Sequence, residues 1–415
     1  MEDPTREDDP RIVFISLLAR ELHRAGVATD QLERTIDDVA DRFGIPAEVQ
    51  AYPTNIMLAI GARYAQRIVM LRIPPGAVNL RQLAILNEIV DAVGDGTLDM
   101  TGAVAQLRSI DERTKRPGVA LSIAALAMVA FGVAVILGGG INELIVASLI
   151  GAATGALRAL GDRLLAIERL FQVLAAFAAT IIVWAYSHFV GPANLYISIV
   201  AGVVVLLPGY SLTLALNELA NQDLIAGTAR LGRVFAILLS LGCGALLGFA
   251  VVGPHFLEQS AAAPHPVIAT LWIGAAIVMA VGLSIDLNAR PRDYIWVLLA
   301  SFVALGASHV FGALPAHQIT PFLAAFSCGL VANFGARWLR LQQPIFLVPA
   351  LHVLVPGSLS YESVLYVFSS KYEDAATLAV NAVVAAILIV AGLLLAQLLL
   401  PTAPLRIRSQ IKDRR

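Results

Sequence analysis

Leu206-Leu207-Pro208-Gly209-Tyr210-Ser211-Leu212 recurs 148 residues later as Leu354-Val355-Pro356-Gly357-Ser358-Leu359-Ser360. Each copy lies inside an apolar stretch long enough to cross a bilayer, which takes about 20 residues. Proline inside a helix removes one backbone hydrogen bond and crowds the carbonyl one turn back, so both stretches should bend or break here. The freed amides and carbonyls are tolerated within a membrane only where they meet protein or line a polar cavity. Hydroxyls gather beside both breaks: Tyr210, Ser211 and Thr213 at the first, Ser358, Ser360 and Tyr361 at the second. The expected substrate site therefore lies between the two broken helices, near mid-membrane. Its lining would be Pro208, Gly209, Ser211, Thr213, Pro356, Gly357, Ser358 and Ser360.

Working outward from the repeat, ten apolar segments approach spanning length, at about 119–138, 141–158, 170–189, 194–214, 231–252, 267–286, 294–313, 319–338, 344–368 and 376–400. Shifting the starts of spans one, three and five by 148 residues lands within a few residues of the starts of spans six, eight and ten. The register of whole spans thus agrees with the Pro-Gly repeat. Five is odd, so the second copy must cross the membrane in the opposite sense. Inverted repeats of this kind are characteristic of secondary transporters, in which one site faces either side in turn.

The composition agrees. Of 415 residues 58% are apolar and 14% charged, with net charge -1 and mean hydropathy +0.76; soluble domains run at about 25% charged. Residues 1–118 carry 14 Lys/Arg and 18 Asp/Glu, against 15 and 12 in all the rest. A polar unit has been joined to a span array near Lys115-Arg116-Pro117-Gly118. The expected fold is a polytopic α-helical membrane protein, ten transmembrane helices as a 5+5 inverted repeat, with a small N-terminal cytoplasmic α+β domain. The expected divisions are a disordered start (1–11), the α+β domain (12–116), the two repeats (117–258 and 259–401) and a basic tail (402–415).

Basic residues in short loops favour the cytoplasm. With the N-terminal domain inside, the inner loops hold Arg158, Arg163, Arg169, Arg230, Arg233, Arg290, Arg292, Arg337 and Arg340, while the outer loops hold Lys371 alone. The tail adds Arg406, Arg408, Lys412, Arg414 and Arg415, also inside. Both termini are expected in the cytoplasm. No cleavable leader is expected either, because the acidic start has no cationic or apolar segment.

An ionisable group in a span is a functional candidate by default. His352 lies one turn before Pro356 on the same helical face, and histidine titrates near neutrality, so it is a proton-coupling candidate, as is Glu218 after the first break. Each has a structural alternative: a neutral hydrogen-bonded imidazole for His352, and pairing with Arg230 or Arg233 for Glu218. His309, near the outer end of span seven, is read as a helix-tying imidazole. Asn217, Asn333 and Asn381 are candidate polar lining, with helix tying as the alternative. Asp286 and Asp293 are expected to pair with the flanking Arg290 and Arg292.

In the N-terminal part, Ile12, Ile15, Leu18, Ala19 and Leu22 keep helical spacing up to Gly26. Asp30 with Glu33 then suggests a capping-box start for a helix carrying Leu32, Ile36, Val39 and Phe43. Residues 47–60 and 63–73 read as two strands around Gly61, followed by helices near 79–93 and 101–112, all tethered by a short linker.

Several classes are disfavoured. No basic run within the body suits nucleic acid, and Cys243 and Cys328, both in apolar stretches, suit neither a disulfide framework nor a metal cluster. No Walker loop, Gly-x-Ser-x-Gly elbow, His-Glu-x-x-His or Cys-x-x-Cys occurs. No enzyme activity, cofactor or metal is expected, and His23, Thr54 and Asp91 suggest surface or packing roles rather than a hydrolytic centre.

Leu22-His23-Arg24-Ala25-Gly26, Leu32-Glu33-Arg34, Val39-Ala40, Phe43-Gly44-Ile45 and Pro53-Thr54 resemble the N-terminal domain of the threonine/serine exporter family, and the two Pro-Gly segments look like its membrane motifs. The likeness runs over about residues 12–400. It implies proton-motive-force-driven export of threonine and serine across the inner membrane, so that the partners would be these small molecules, protons and the lipid bilayer. A homo-oligomer is compatible with it. Related two-chain systems are associated with dicarboxylates such as succinate, which makes a C4-dicarboxylate exporter the alternative. Scarce cations within the spans favour a zwitterion over a dianion. A membrane-anchored hydrolase is the remaining alternative, though ten spans exceed what an anchor needs.

Overall fold

The computed structural model describes residues 9–61, 66–73, 76–253, 271–315, 317–339, 341–354, 357–368 and 371–401. Outside the described residues lie most of the expected disordered start, the boundary at 258/259, Arg340, Pro356 and the basic tail with its five cations.

α1 (Pro10–Arg24) starts where the Asp9 side chain accepts from the Arg11 amide, with proline at the first helical position, where its missing N–H costs nothing. Gly26, at φ +78°, turns the chain out of it. α2 (Thr29–Arg42) buries Leu32, Ile36, Val39 and Ala40. The Asp30–Glu33 box does not form. The cap position is Ala28, and Glu33 instead accepts the Ala51 amide at 2.7 Å because it faces the edge strand of the sheet. Asp30 pairs with Arg34 one turn on.

Residues 47–60, expected as one strand, form a hairpin. β1 (Ala47–Tyr52) and β2 (Asn55–Ile60) pair antiparallel across Pro53-Thr54, and β3 (Arg67–Arg72) pairs with the other edge of β2. Proline has no amide to extend a ladder and its fixed φ suits a turn, which explains the division. α3 (Leu80–Gly94), α4 (Met100–Arg108) and α5 (Ile110–Arg113) complete this part.

The N-terminal unit is docked rather than loosely tethered. The Leu80 and Arg81 amides, at the start of α3, donate to the carbonyls of Leu287 (2.9 Å) and Asn288 (3.1 Å). Asn288, at φ +51°, donates through Nδ2 to Asn79 Oδ1 and to the Thr114 carbonyl, both at 3.1 Å. Gln342 donates to the Leu83 carbonyl. Both aspartates make ion pairs at this surface: Asp293 with its neighbour Arg292 at 4.0 Å, and Asp286 with Arg158 at 2.5 Å rather than with a flanking arginine, while Arg290 (2.5 Å) and Arg292 (2.7 Å) also reach Glu88 on α3.

Beyond residue 118 the described chain is helical: α6 (Val119–Ile136), α7 (Ile141–Gly161), a short α8 (Leu165–Arg169), α9 (Phe171–Phe189), α10 (Leu195–Gly202), α11 (Gly209–Ala220), α12 (Leu224–Val252), α13 (Leu271–Asp286), α14 (Tyr294–Gly312), α15 (Thr320–Trp338), α16 (Gln343–Leu354), α17 (Gly357–Phe368) and α18 (Tyr372–Leu399). Seven stretches are long and apolar enough to cross a membrane, α16 with α17 counting as one; taking α10 and α11 as one span bent by 57° makes eight. α13 is apolar but only 16 residues long in its described part. α15 has 19 residues and stands outside the seven.

α6 packs on α7 and α13, α7 on α9 and α10, and α9 on α12; in the second half α13 packs on α14, α14 on α15 and α16, and α15 on α18. Small residues permit the tightest of these approaches. A methyl group on Gly244 of α12 would strike the Val173 carbonyl of α9, and one on Gly392 of α18 the Phe322 carbonyl of α15. Cys328 is buried, whereas Cys243 lies on an exposed face of α12.

Candidate functional site

The first break begins earlier than Pro208. α10 ends at Gly202, a single 3-10 turn covers Val204–Leu206, and α11 resumes at Gly209 with Pro208 as its N-terminal flank. Proline there needs no amide partner, so the bend is made by ending one helix and starting another. Around the second Pro-Gly, Gln343–Val367 is a single apolar span whose described parts are α16, up to Leu354, and α17, from Gly357, so that the second expected break lies outside the described residues; α16 also contains Pro349, one turn before Val353. Pro356 itself lies outside the described residues.

The bent α10–α11 element and the α16–α17 span pack against each other. α10 touches α17, α11 touches both α16 and α17, α12 touches α17 and α18 touches α11. One ring contact joins them. The Tyr210 ring, one residue past the first Pro-Gly, stacks on His352 with centroids 6.0 Å apart and planes 17° from parallel. His352 also donates through Nδ1 to the Val348 carbonyl of its own helix at 2.7 Å, the tautomer being set by that acceptor.

Glu218 is fully buried. Its carboxylate accepts from Arg230 through both oxygens, at 2.7 and 2.9 Å, a fork geometry that gives strong, oriented pairing. Thr29 Oγ1, at the start of α2, lies 2.9 Å from Glu218 Oε1 and 2.9 Å from Asp223 Oδ2, which ties the N-terminal unit to the end of α11. Of the two readings of Glu218, its environment is that of the ion pair with Arg230. Around this junction burial raises the Glu33 carboxyl above the usual carboxylate range, with Asp223 adding to the effect, and burial holds His23 below the ordinary imidazole value. At the docking face Arg290, then Arg292, hold Glu88 below its usual range.

The other sequence candidates separate. Pro208, Gly209, Thr213, Gly357 and Ser360 are buried at the crossing, and Ser211 and Ser358 are half-buried beside it. Asn217 is half-buried on α11. Asn333 is buried and accepts from Gln343 Nε2 at 2.7 Å, the helix-tying role. Asn381 is corrected: it lies on an exposed face of α18, because the buried stripe of that helix runs through Ala375, Ala382, Ala386 and Ile389 instead. His309 sits against Trp272, 6.2 Å between centroids. The His23 ring bonds the Tyr52 carbonyl at 2.8 Å, while Thr54 and Asp91 are exposed.

Sequence reasoning missed Glu143. Glu143, buried near the start of α7, accepts from the Gly140 and Asn194 amides, each at 2.7 Å, and so anchors the beginning of α10. An open surface cleft of about 530 Å³ lies at the docking face, lined by Arg81, Glu88, Arg113, Arg290 and Arg292.

Two family profiles match the chain: one described as putative threonine/serine exporter over residues 13–252, and one described as Threonine/Serine exporter, ThrE, over residues 273–399. Among curated proteins, the pheromone-regulated membrane protein 10 of Pichia sorbitophila is 22% identical over 84% of this chain and 36% of its own length. An uncharacterized protein of Schizosaccharomyces pombe is 24% identical over 89% of this chain and 50% of its own. The protein of the first name from Saccharomyces cerevisiae is 26% identical over 39% of this chain and 43% of its own. The chain thus spans between about a third and a half of the length of these relatives. No solved structure matches it. With apolar helices throughout its larger part and profiles covering nearly all of it, this multi-pass membrane protein belongs to the threonine/serine exporter family.

Proposed function

We propose that the chain exports small hydroxylated amino acids, threonine and serine, by proton-driven antiport, through alternating access of two inverted five-span halves. The observation that carries the reading is the packing of the bent α10–α11 element against the α16–α17 span, which brings helix ends, the hydroxyls of Thr213 and Ser360 and the His352 imidazole together among apolar helices. Broken helices at a repeat interface suit a zwitterion, since helix starts attract a carboxylate and helix ends or acids attract an ammonium.

The neighbour pattern supports the repeat. Advancing each helix by five spans turns the α9–α12 contact into α15–α18, α7–α10 into α14–α16, and α10–α17 into α16–α11. Gly244 and Gly392, the two closest approaches of equivalent helices, are themselves 148 residues apart. The two profiles also divide between residues 252 and 273. The site then comprises Pro208, Gly209, Ser211, Thr213, Pro356, Gly357, Ser358 and Ser360, in a cell membrane with both termini in the cytoplasm.

The test is counterflow in proteoliposomes with labelled threonine, serine and succinate, with and without a pH gradient. Threonine or serine exchange that a gradient accelerates, and that Pro208→Ala and Pro356→Ala impair without reducing membrane insertion, is the expected result. Succinate exchange alone would move the substrate class to dicarboxylates, and normal exchange by both proline variants would remove the broken-helix site.

A further inference from the structure

We propose that the cleft between α3, α5 and the α13–α14 junction binds a phosphate-bearing anion, which clamps the N-terminal unit to the membrane part. The site shares no residue with the crossing of the Pro-Gly elements, and it does not depend on what the chain transports.

α3 builds one wall. Arg81, Ile85 and Glu88 fall at helical spacing on a single face of it, and across the cleft stand Arg290, Pro291 and Arg292. Arg113, the last residue of α5, completes the lining. The cleft holds about 530 Å³, within the range of small-molecule sites. A second hollow of about 300 Å³ shares Ile85, Glu88 and Arg113 with it and continues along α3 past Ile89 and Ala92, so an anionic group can carry a larger body.

Charge in this lining is unbalanced. The Glu88 carboxylate is already committed: Oε1 accepts from Arg290 at 2.5 Å and from Arg292 at 2.7 Å, and Oε2 from Arg290 at 3.0 Å. Asp293 brings a second carboxylate, 4.0 Å from Arg292. Four guanidiniums against these two carboxylates leave two positive charges. They fall to Arg81 and Arg113, which have no carboxylate partner among the described residues. Arg113 donates to Gln106 Oε1 at 3.0 Å, and Arg81 Nε is buried with no hydrogen-bond partner. The Arg81 amide is bonded to the Asn288 carbonyl at 3.1 Å, so the backbone that carries this spare guanidinium is fixed at the seam. A buried donor without an acceptor is costly, and an anion in the cleft would remove that cost.

Two spare charges call for a dianion. A phosphate monoester carries about -1.5 to -2 at neutral pH and offers three acceptor oxygens, which several guanidinium forks can share. One carboxylate brings a single charge and two oxygens, too few for both Arg81 and Arg113. The phosphate can come from a soluble organic phosphate or from the headgroup of an anionic phospholipid, since Arg290 and Arg292 lie where the chain passes between two apolar helices. Arg81 and Arg113 belong to the N-terminal unit, Arg290 and Arg292 to the junction. An anion held by both pairs is bound only while the unit is docked, and so stabilises the docked arrangement.

The experiment uses the full chain. In detergent, at constant ionic strength, pyrophosphate and succinate are titrated by calorimetry and thermal unfolding; in nanodiscs, phosphatidylcholine alone is compared with a mixture containing phosphatidylglycerol. Saturable stabilisation by pyrophosphate identifies a soluble phosphate, and stabilisation by phosphatidylglycerol alone identifies the lipid headgroup. Arg81→Gln should weaken pyrophosphate binding about tenfold, the worth of one charge-assisted contact, or abolish the lipid-dependent rise. Arg108→Gln, on an exposed turn of α4 outside the lining, should leave either response unchanged. Glu88→Gln removes the competing carboxylate, so it should bind the same anion more tightly even though the ligand-free protein unfolds earlier. No stabilisation by pyrophosphate or phosphatidylglycerol overturns the proposal. So does succinate binding as tight as that of pyrophosphate, an undiminished response in Arg81→Gln, an equal loss in Arg108→Gln, or a Glu88→Gln response no stronger than the wild type. Should Arg81→Gln fail to fold, Arg113→Gln takes its place, and an undiminished response there overturns the site equally.

Discussion

Glu218 shows how much a single side chain is asked to hold. Its carboxylate joins α11 to α12 through Arg230 and both of them to α2 through Thr29, with no exposure to solvent. Truncating one member of a buried pair leaves the other charge uncompensated, which costs about 3–5 kcal/mol. Arg230 keeps partial contact with solvent, which places the expected loss toward the lower end. Glu218→Ala should therefore lower the unfolding temperature in detergent sharply, and Arg230→Ala nearly as much, while the double variant Glu218→Leu/Arg230→Leu should be more stable than the sum of the single losses predicts. Additive losses across this cycle would mean that the two residues do not act as a pair.

At the scale of elements, the close crossings of α9 with α12 and of α15 with α18 depend on the missing side chains of Gly244 and Gly392. Gly244→Ala and Gly392→Ala each push a methyl group against a carbonyl of the neighbouring helix, and overpacking of this kind costs about 1–3 kcal/mol. Gly232 supplies the control on the same α12, since nothing lies within 4 Å of the position its methyl would take. Gly232→Ala should be neutral or stabilising, because alanine is the better helix former by about 0.5–1 kcal/mol. Thermal unfolding of the three variants checks the contrast, and equal effects would show that the crossings tolerate a wider spacing. What the sequence made legible at this scale is local. Apolar length located the helices, and Pro208 located the bend to within a turn, because both follow from backbone chemistry along a short stretch. The hairpin at Pro53-Thr54 was equally local and was overlooked. Contacts such as Asn288 with Asn79 and Glu33 with the Ala51 amide depend on which faces meet across the fold, and no periodicity encodes that.

For the whole molecule, the docked N-terminal unit and the sidedness of the membrane are one problem. The unit is held by Asn288, Arg290 and Arg292 between α13 and α14, by Gln342 before α16, by Glu218 in the last turn of α11 and by Asp223 just after it. These junctions must therefore open on the same side of the bilayer as the unit itself. They are also the junctions in which the arginines gather, and basic residues in short loops stay in the cytoplasm. The hydrogen bonds put these junctions on the side of the N-terminal unit, and the charge bias by itself favours the cytoplasm for that side. In a variant with Cys243 and Cys328 replaced by alanine, cysteines at the exposed positions Val190 and Lys371 should react with a membrane-impermeant maleimide in intact cells, whereas one at exposed Asp162 should react only after the membrane is opened. The reverse pattern would turn the whole molecule over and place the N-terminal unit outside. Labelling of Asp162→Cys and Lys371→Cys from the same side would be more damaging, because an odd number of crossings separates them in a ten-span chain, and the inverted repeat would then lose its parity.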